Sequence, residues 1–305
     1  MPDDADRAAV RQLLGREPLG PFDVVVRDRE GGPVVIRNAP LLDDATPMPT
    51  RFWLVGRAEV RAVARLESGG GVRAAEHAVD PAAVADAHRR YAAERDSALP
   101  PSADPRPTGG VGGTREGVKC LHAHYAWHLA GGDDPVGRWV ATQLAAGLDV
   151  EIGARSTTFT HAGHDMRVPV GVDTLLTAEL GGNDPPLPAQ LTNALGLVAD
   201  HVDDVIRDRP QLMDARDVTM RGADAWHFAV VEHGGTPQEP TATVSREDAE
   251  DAFRTLVTEA RAERVHNPGL DPARVDSVVA TCCIVLGVMR RLHLERIRVE
   301  SPGGR

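Results

Sequence analysis

The sequence predicts a mixed α/β (α+β) protein of two domains. Short apolar runs of β type, such as FDVVVR and RIRV, interleave with longer segments of helical period. The 305 residues are enough for about two domains of ~150 residues each. The pattern changes near Leu148, where alternating strand-like segments resume after a helical stretch. We therefore expect one domain over 1–147 and a second over 148–305.

In the first domain, Asp3–Leu14 has helical spacing at Val10, Leu13 and Leu14, with Gly15 as a stop. Phe22–Arg27 and Val34–Arg37 read as strands joined by a Glu30-Gly31-Gly32-Pro33 turn, and Arg51–Val55 as a third strand. Ala58–Ser68 and Pro81–Asp96 read as helices. Leu99–Gly113 is irregular, either a linker or a long functional loop. Glu116–Leu129 and Pro135–Leu144 are expected to be helical. In the second domain, Asp149–Phe159 and Arg167–Val172 read as a hairpin around His161–Asp165. Thr174–Leu180 starts a helix, and Pro188–Ile206 is a long amphipathic one. Val218–Met220 and Trp226–Val231 flank a turn at Gly222. Ser245–Arg264 opens with a Ser N-cap and acids in the first turn. Asp271–Leu292 holds the most apolar helix, and Arg296–Val299 is the last strand.

Composition narrows the function. A net charge of −11 argues against nucleic acid and membrane surfaces, which require a basic footprint. The hydrophobic share of 42% supports a sizeable core. The cysteines are Cys120, Cys282 and Cys283, an odd number that does not suit a disulfide framework. Cys282 and Cys283 lie in an apolar run and read as inert core thiols. That run is too short to span a bilayer, and the acidic N-terminus does not read as a signal peptide. A cytoplasmic protein is expected. Its oligomeric state, including a homo-oligomer, stays open.

Two constellations carry chemistry in the first domain. On a helix, Cys120, His124 and His128 share a face; in an extended segment, Cys120, His122 and His124 do. A thiolate and imidazoles suit zinc, with His88, His77 or water completing the set; the metal candidates are Cys120, His122 and His124. The plain alternative is a small core thiol beside histidines bonded to backbone. The glycines of 109–113, Gly112 and Gly113 among them, precede the helix with Arg115 and Lys119 as cations, which suits an anion. It is not a Walker motif. A flexible hinge is the alternative.

In the second domain, Val150–Phe159 reads VEIGARSTTF, a strand running into Gly153 and Ser156 like a phosphate-binding turn short of glycine. With VGVDTLLTAEL (170–180), TVSREDAED (243–251) and PGLDPARVDSVVATCCIVL (268–286), the span 148–301 resembles the second lobe of the exopolyphosphatase/guanosine-pentaphosphate phosphohydrolase family. The resemblance implies an incomplete actin-like, ribonuclease-H-like lobe. Against the family pattern, Glu151 keeps the acidic position, Ala154 and Arg155 replace glycines, Thr158 replaces a glutamate, and Arg221–Asp224 is a reduced loop. The family's first lobe has no counterpart upstream. Separately, PTRFWL (49–54), RLESGG (65–70), GGTREGVKCLHAHYA (112–126) and DPVG (134–137) resemble a domain family of unknown function from high-GC Gram-positive bacteria.

These readings imply a pseudoenzyme: a non-catalytic binding or regulatory protein for a protein partner or a phosphate-containing small molecule. Gly153, Arg155 and Ser156 would be its anion-binding residues, with Arg155 otherwise a surface arginine. The alternative is a phosphoanhydride hydrolase with Glu151 and Ser156 on one side, Arg115 and Lys119 on the other, and Mg²⁺ neutralising the phosphates. A metal-binding protein through the Cys-x-His-x-His segment, with Zn²⁺, is the third.

Overall fold

A computed structural model describes residues 2–302 and divides the chain into two compact units, Met1–Ala145 and Ala146–Arg305. Among the described residues, no helix is long and apolar enough to cross a membrane.

The N-terminal unit is built on an antiparallel three-stranded sheet, β1 (Phe22–Arg27), β2 (Pro33–Asn38) and β3 (Phe52–Leu54), in that order. The Asp28 carboxylate accepts from the amides of Glu30 and Gly32, which closes the β1–β2 turn around Gly31 at φ +88°. The central strand β2 is buried on both faces. Its Ile36 packs with Val10 of α1 (Asp4–Leu14), while Val35 joins the core under the helices. Those helices are α2 (Arg57–Ser68), α3 (Gly71–Ala78), α4 (Pro81–Ser97), α5 (Leu121–Leu129) and α6 (Pro135–Ala145).

Tyr91 of α4 ties the helices to the sheet. It is 1% exposed, and its hydroxyl accepts from the Arg51 amide at 2.6 Å at the start of β3. Its ring meets Phe52 and Trp127 edge-on, with centroids at 6.0 and 5.2 Å. Trp127 in turn donates to Glu94 at 2.9 Å.

The C-terminal unit holds a six-stranded sheet. An antiparallel meander of β4 (Leu148–Ile152), β5 (Thr157–His161) and β6 (His164–Val168) comes first. Next, β7 (Val218–Arg221) pairs parallel with β4, and β9 (Arg296–Glu300) parallel with β7. The edge is β8 (Thr241–Ser245), antiparallel to β9. Apart from β8, the spatial order is third, second, first, fourth, fifth, with the second strand reversed. This is the ribonuclease-H-like arrangement.

One face of the sheet is apolar, with Leu148, Val150, Ile152, Phe159, Met220, Ile297 and Val299 all buried. The other is polar. Arg221 bridges Asp149 and Glu300 there, and Thr158 lies opposite Glu151. Beneath the apolar face lies α12 (Ser277–Arg291), buried from Val278 to Met289. It packs on α8 (Pro188–Asp208), which offers Ala194, Val198, Val202 and Val205 as one stripe. Gly287 permits that approach, because a Cβ there would sit 2.4 Å from Val198 Cγ1.

Several elements differ from their sequence expectation. Helix α5 starts at Leu121 rather than Glu116, because Gly112, Gly113 and Gly117 are left-handed and Cys120 is extended. The glycines after Ser68 end α2, but Gly71 opens α3. The single hairpin is a three-stranded meander, with a second reversal at Gly153–Ser156. Trp226–Val231 lies within a helix, α9 (Ala223–Glu232). Ser245 caps α10 (Arg246–Thr258), yet the chain turns extended at Glu259 before α11 (Arg261–Arg264).

Two substitutions check this packing. Tyr91→Phe strands the half-buried Arg51 amide and should cost about 1–3 kcal/mol, read in urea melts followed by tryptophan fluorescence. Gly287→Ala overpacks the α8–α12 contact and should cost about 1–3 kcal/mol; a thermal midpoint equal to the parent's would refute the close approach.

Candidate functional sites

The segment 108–121 is fastened to the N-terminal unit by side chains from three helices. Arg95 of α4, 2% exposed, donates to the carbonyls of Gly109 at 2.6 Å and Thr108 at 3.4 Å. His88 accepts from the Val111 amide at Nδ1, so its Nε2 carries the proton and donates to the Gly117 carbonyl at 2.9 Å. Glu76 of α3 accepts from Val118, and Glu67 of α2 from Leu121 at 2.6 Å. Gly110, Gly113 and Thr114 donate within the loop itself.

This arrangement bears on the anion candidates Gly112, Gly113, Arg115 and Lys119. The anion at the start of α5 is the chain's own Glu67 carboxylate, placed where the helix dipole favours it. Arg115 and Lys119 are exposed. Arg115 lines a cavity of about 380 Å³ with Val79, Val84, His88 and Val118. The same bonds tie the glycine loop to α2, α3 and α4.

The metal candidates separate. Cys120 and His122 stay together, with Sγ 3.8 Å from Nδ1, and Glu67 joins them with Oε1 3.2 Å from the same nitrogen. The three ligand atoms lie within 4.8 Å of one another, and all three residues are half-buried. His122 Nε2 donates to the Val60 carbonyl at 3.2 Å. Burial opposes charging of His122, but Cys120 and Glu67 outweigh it and raise its pKa to about 10. His124 leaves the group. It is 1% exposed, and its Nδ1 donates at 2.7 Å to Asp134, whose other oxygen caps α6 at the amides of Val136 and Gly137. His124 Nε2 is buried without a partner among the described residues. His88 has both nitrogens engaged and is no fourth ligand.

Sequence spacing missed Glu67, which lies 53 residues before Cys120 on another helix. Its signal was present in the RLESGG stretch. Likewise DPVG holds the Asp134 cap and Gly137, whose Cβ would stand 2.6 Å from the His124 carbonyl.

In the C-terminal unit, Gly153–Ser156 forms a tight reversal. The Gly153 amide donates to the Ser156 carbonyl, Val172 to Gly153, and Asp173 to Ala154. Gly171 backs the bend so closely that a Cβ would sit 2.4 Å from the Ser156 nitrogen. Gly222, at φ +110°, abuts Ile152 in the same way. Ala154 and Arg155 are exposed, so their side chains do not fill the bend. The Ser156 hydroxyl accepts from Arg167 Nε at 2.8 Å. Glu151 is exposed on the polar sheet face.

Residues 24–142 match the family described as "Protein of unknown function (DUF501)". No protein of curated function matches the chain. Solved structures similar to it include an exopolyphosphatase-like protein at 19% identity, TM-score 0.47, covering 52% of this chain and 55% of the other. An Aquifex aeolicus PPX-GPPA enzyme is similar at 14% identity, TM-score 0.45, covering 60% and 69%. An exopolyphosphatase from Cytophaga hutchinsonii is similar at 17%, TM-score 0.41, covering 51% and 53%. The chain spans about half the length of the first and third.

Burial lowers the pKa of His88, His161 and His227, so each is neutral in the fold and must charge on acid unfolding. Their depressed folded values place the full contribution above the unfolded value of about 6.5, and it is lost as pH falls through the folded values. Melting temperature should therefore drop as pH falls below about 6.5, and less steeply in His88→Gln; a flat profile would contradict neutral burial.

Proposed function

We propose that this protein is a non-hydrolytic binding protein. Its C-terminal unit serves as a folded scaffold for a protein partner or a phosphate-containing metabolite. The observation that carries the reading is the state of the β4–β5 bend. Anion cradles need convergent, unengaged amides. Here Gly153, Val172 and Asp173 donate to carbonyls of the chain itself. The sequence supports the same view, with Ala154 and Arg155 where the resembling family has glycines and Thr158 where it has a glutamate.

Electrostatics on the sheet agree. A phosphoanhydride hydrolase concentrates cations and Mg²⁺ around the transferred group. The polar face beside the bend instead pairs Arg221 with Asp149 and Glu300, and Arg167 with Ser156.

The test is turnover of polyphosphate and guanosine pentaphosphate with Mg²⁺, compared with an Arg155→Ala, Ser156→Ala double variant. The expected outcome is no difference between the two. Turnover near 1 s⁻¹, within the ordinary enzyme range, that disappears in the double variant would overturn the reading.

A further inference from the structure

We propose that Glu67, Cys120 and His122 form a zinc site with an open fourth position. This inference concerns the N-terminal unit and does not depend on the reading of the C-terminal one.

Ligand spacing is the first ground. Tetrahedral zinc, with Zn–S near 2.3 Å and Zn–N and Zn–O near 2.0–2.2 Å, sets S···N and N···O edges of about 3.6 and about 3.4 Å. The side chains already stand at 3.8 Å for Sγ to Nδ1 and 3.2 Å for Nδ1 to Oε1. The third edge, from Sγ to the Glu67 carboxylate, lies within 4.8 Å.

The outer contacts are the second ground. A zinc-bound histidine donates its other ring N–H to a carbonyl or carboxylate, which fixes the ring and the tautomer. His122 does this through Nε2 to the Val60 carbonyl, and so presents Nδ1 to the site. The Leu121 amide holds the Glu67 carboxylate in place at 2.6 Å. Cys120 is the N-cap of α5 with an extended backbone, which projects its side chain from the helix start beside His122.

Chain order explains why these residues meet. Glu67 lies in the last turn of α2, and the bond to Leu121 brings the start of α5 to it. Coordination replaces the thiol proton and the proton on His122 Nδ1, and both pass to solvent. Side-chain exposure of 25% at His122 and 26% at Glu67 leaves the ion in reach of water. Three protein ligands plus a water is the pattern of an open rather than a closed structural site.

The experiment uses the untagged full chain, stripped with chelator and reloaded with Co²⁺ or Zn²⁺. About one equivalent of Co²⁺ should bind, with tetrahedral d–d bands and sulfur-to-cobalt charge transfer. Cys120→Ser should abolish the charge-transfer band. Glu67→Gln should weaken Zn²⁺ at least about tenfold while keeping the band, and Lys119→Ala should change neither. Sub-stoichiometric loading of the parent protein overturns the proposal without recourse to any variant. So does a charge-transfer band that survives in a folded Cys120→Ser protein, or a Glu67→Gln affinity equal to the parent's.

Discussion

The carboxylate of Glu67, seated on the Leu121 amide at 2.6 Å, is the contact on which the N-terminal unit turns. It neutralises the positive end of α5 and fixes that helix against α2. Glu76, His88 and Arg95 continue the same work along 108–118, each taking up a main-chain group that would otherwise be buried or strained without a partner. A stretch with five glycines between 109 and 117 is thereby held in one conformation. The glycines supply left-handed angles, and the side chains of three helices remove the freedom that glycine would otherwise keep.

The C-terminal unit follows the same logic at the β4–β5 bend. The Gly153 amide is bonded to the Ser156 carbonyl, the Val172 and Asp173 amides are bonded to the carbonyls of Gly153 and Ala154, and Gly171 and Gly222 let two further segments press against the strand end. Unsatisfied amides are the usual reason a turn binds phosphate, so the internal bonding bears more directly on ligand binding than the exposed side chains of Ala154 and Arg155 do.

Much of the fold was legible in the chain. Phe22–Arg27 and Arg296–Val299 alternate or run apolar between turn residues, and both are strands. Ser245 with Glu247 and Asp248 marks a helix start that the structure keeps. The start of α5 was not legible, because the extended angle at Cys120 depends on where Glu67 and Glu76 hold the chain. The edge strand Thr241–Ser245 was also missed; it is short and polar, and only its pairing with β9 makes it a strand.

Sequence by itself determined the class, the period of most elements, the buried thiols at Cys282 and Cys283, and the residue types available for chemistry. These depend on local pattern and on neighbours a few positions away. Tertiary structure alone decided which groups meet: that His124 turns to Asp134 while His122 turns to Glu67, and that the glycine loop is clamped. Those pairings join residues far apart in the chain, or choose between histidines two positions apart, and neither composition nor periodicity encodes such a choice. Helix packing makes it, by setting which side chains share a buried space.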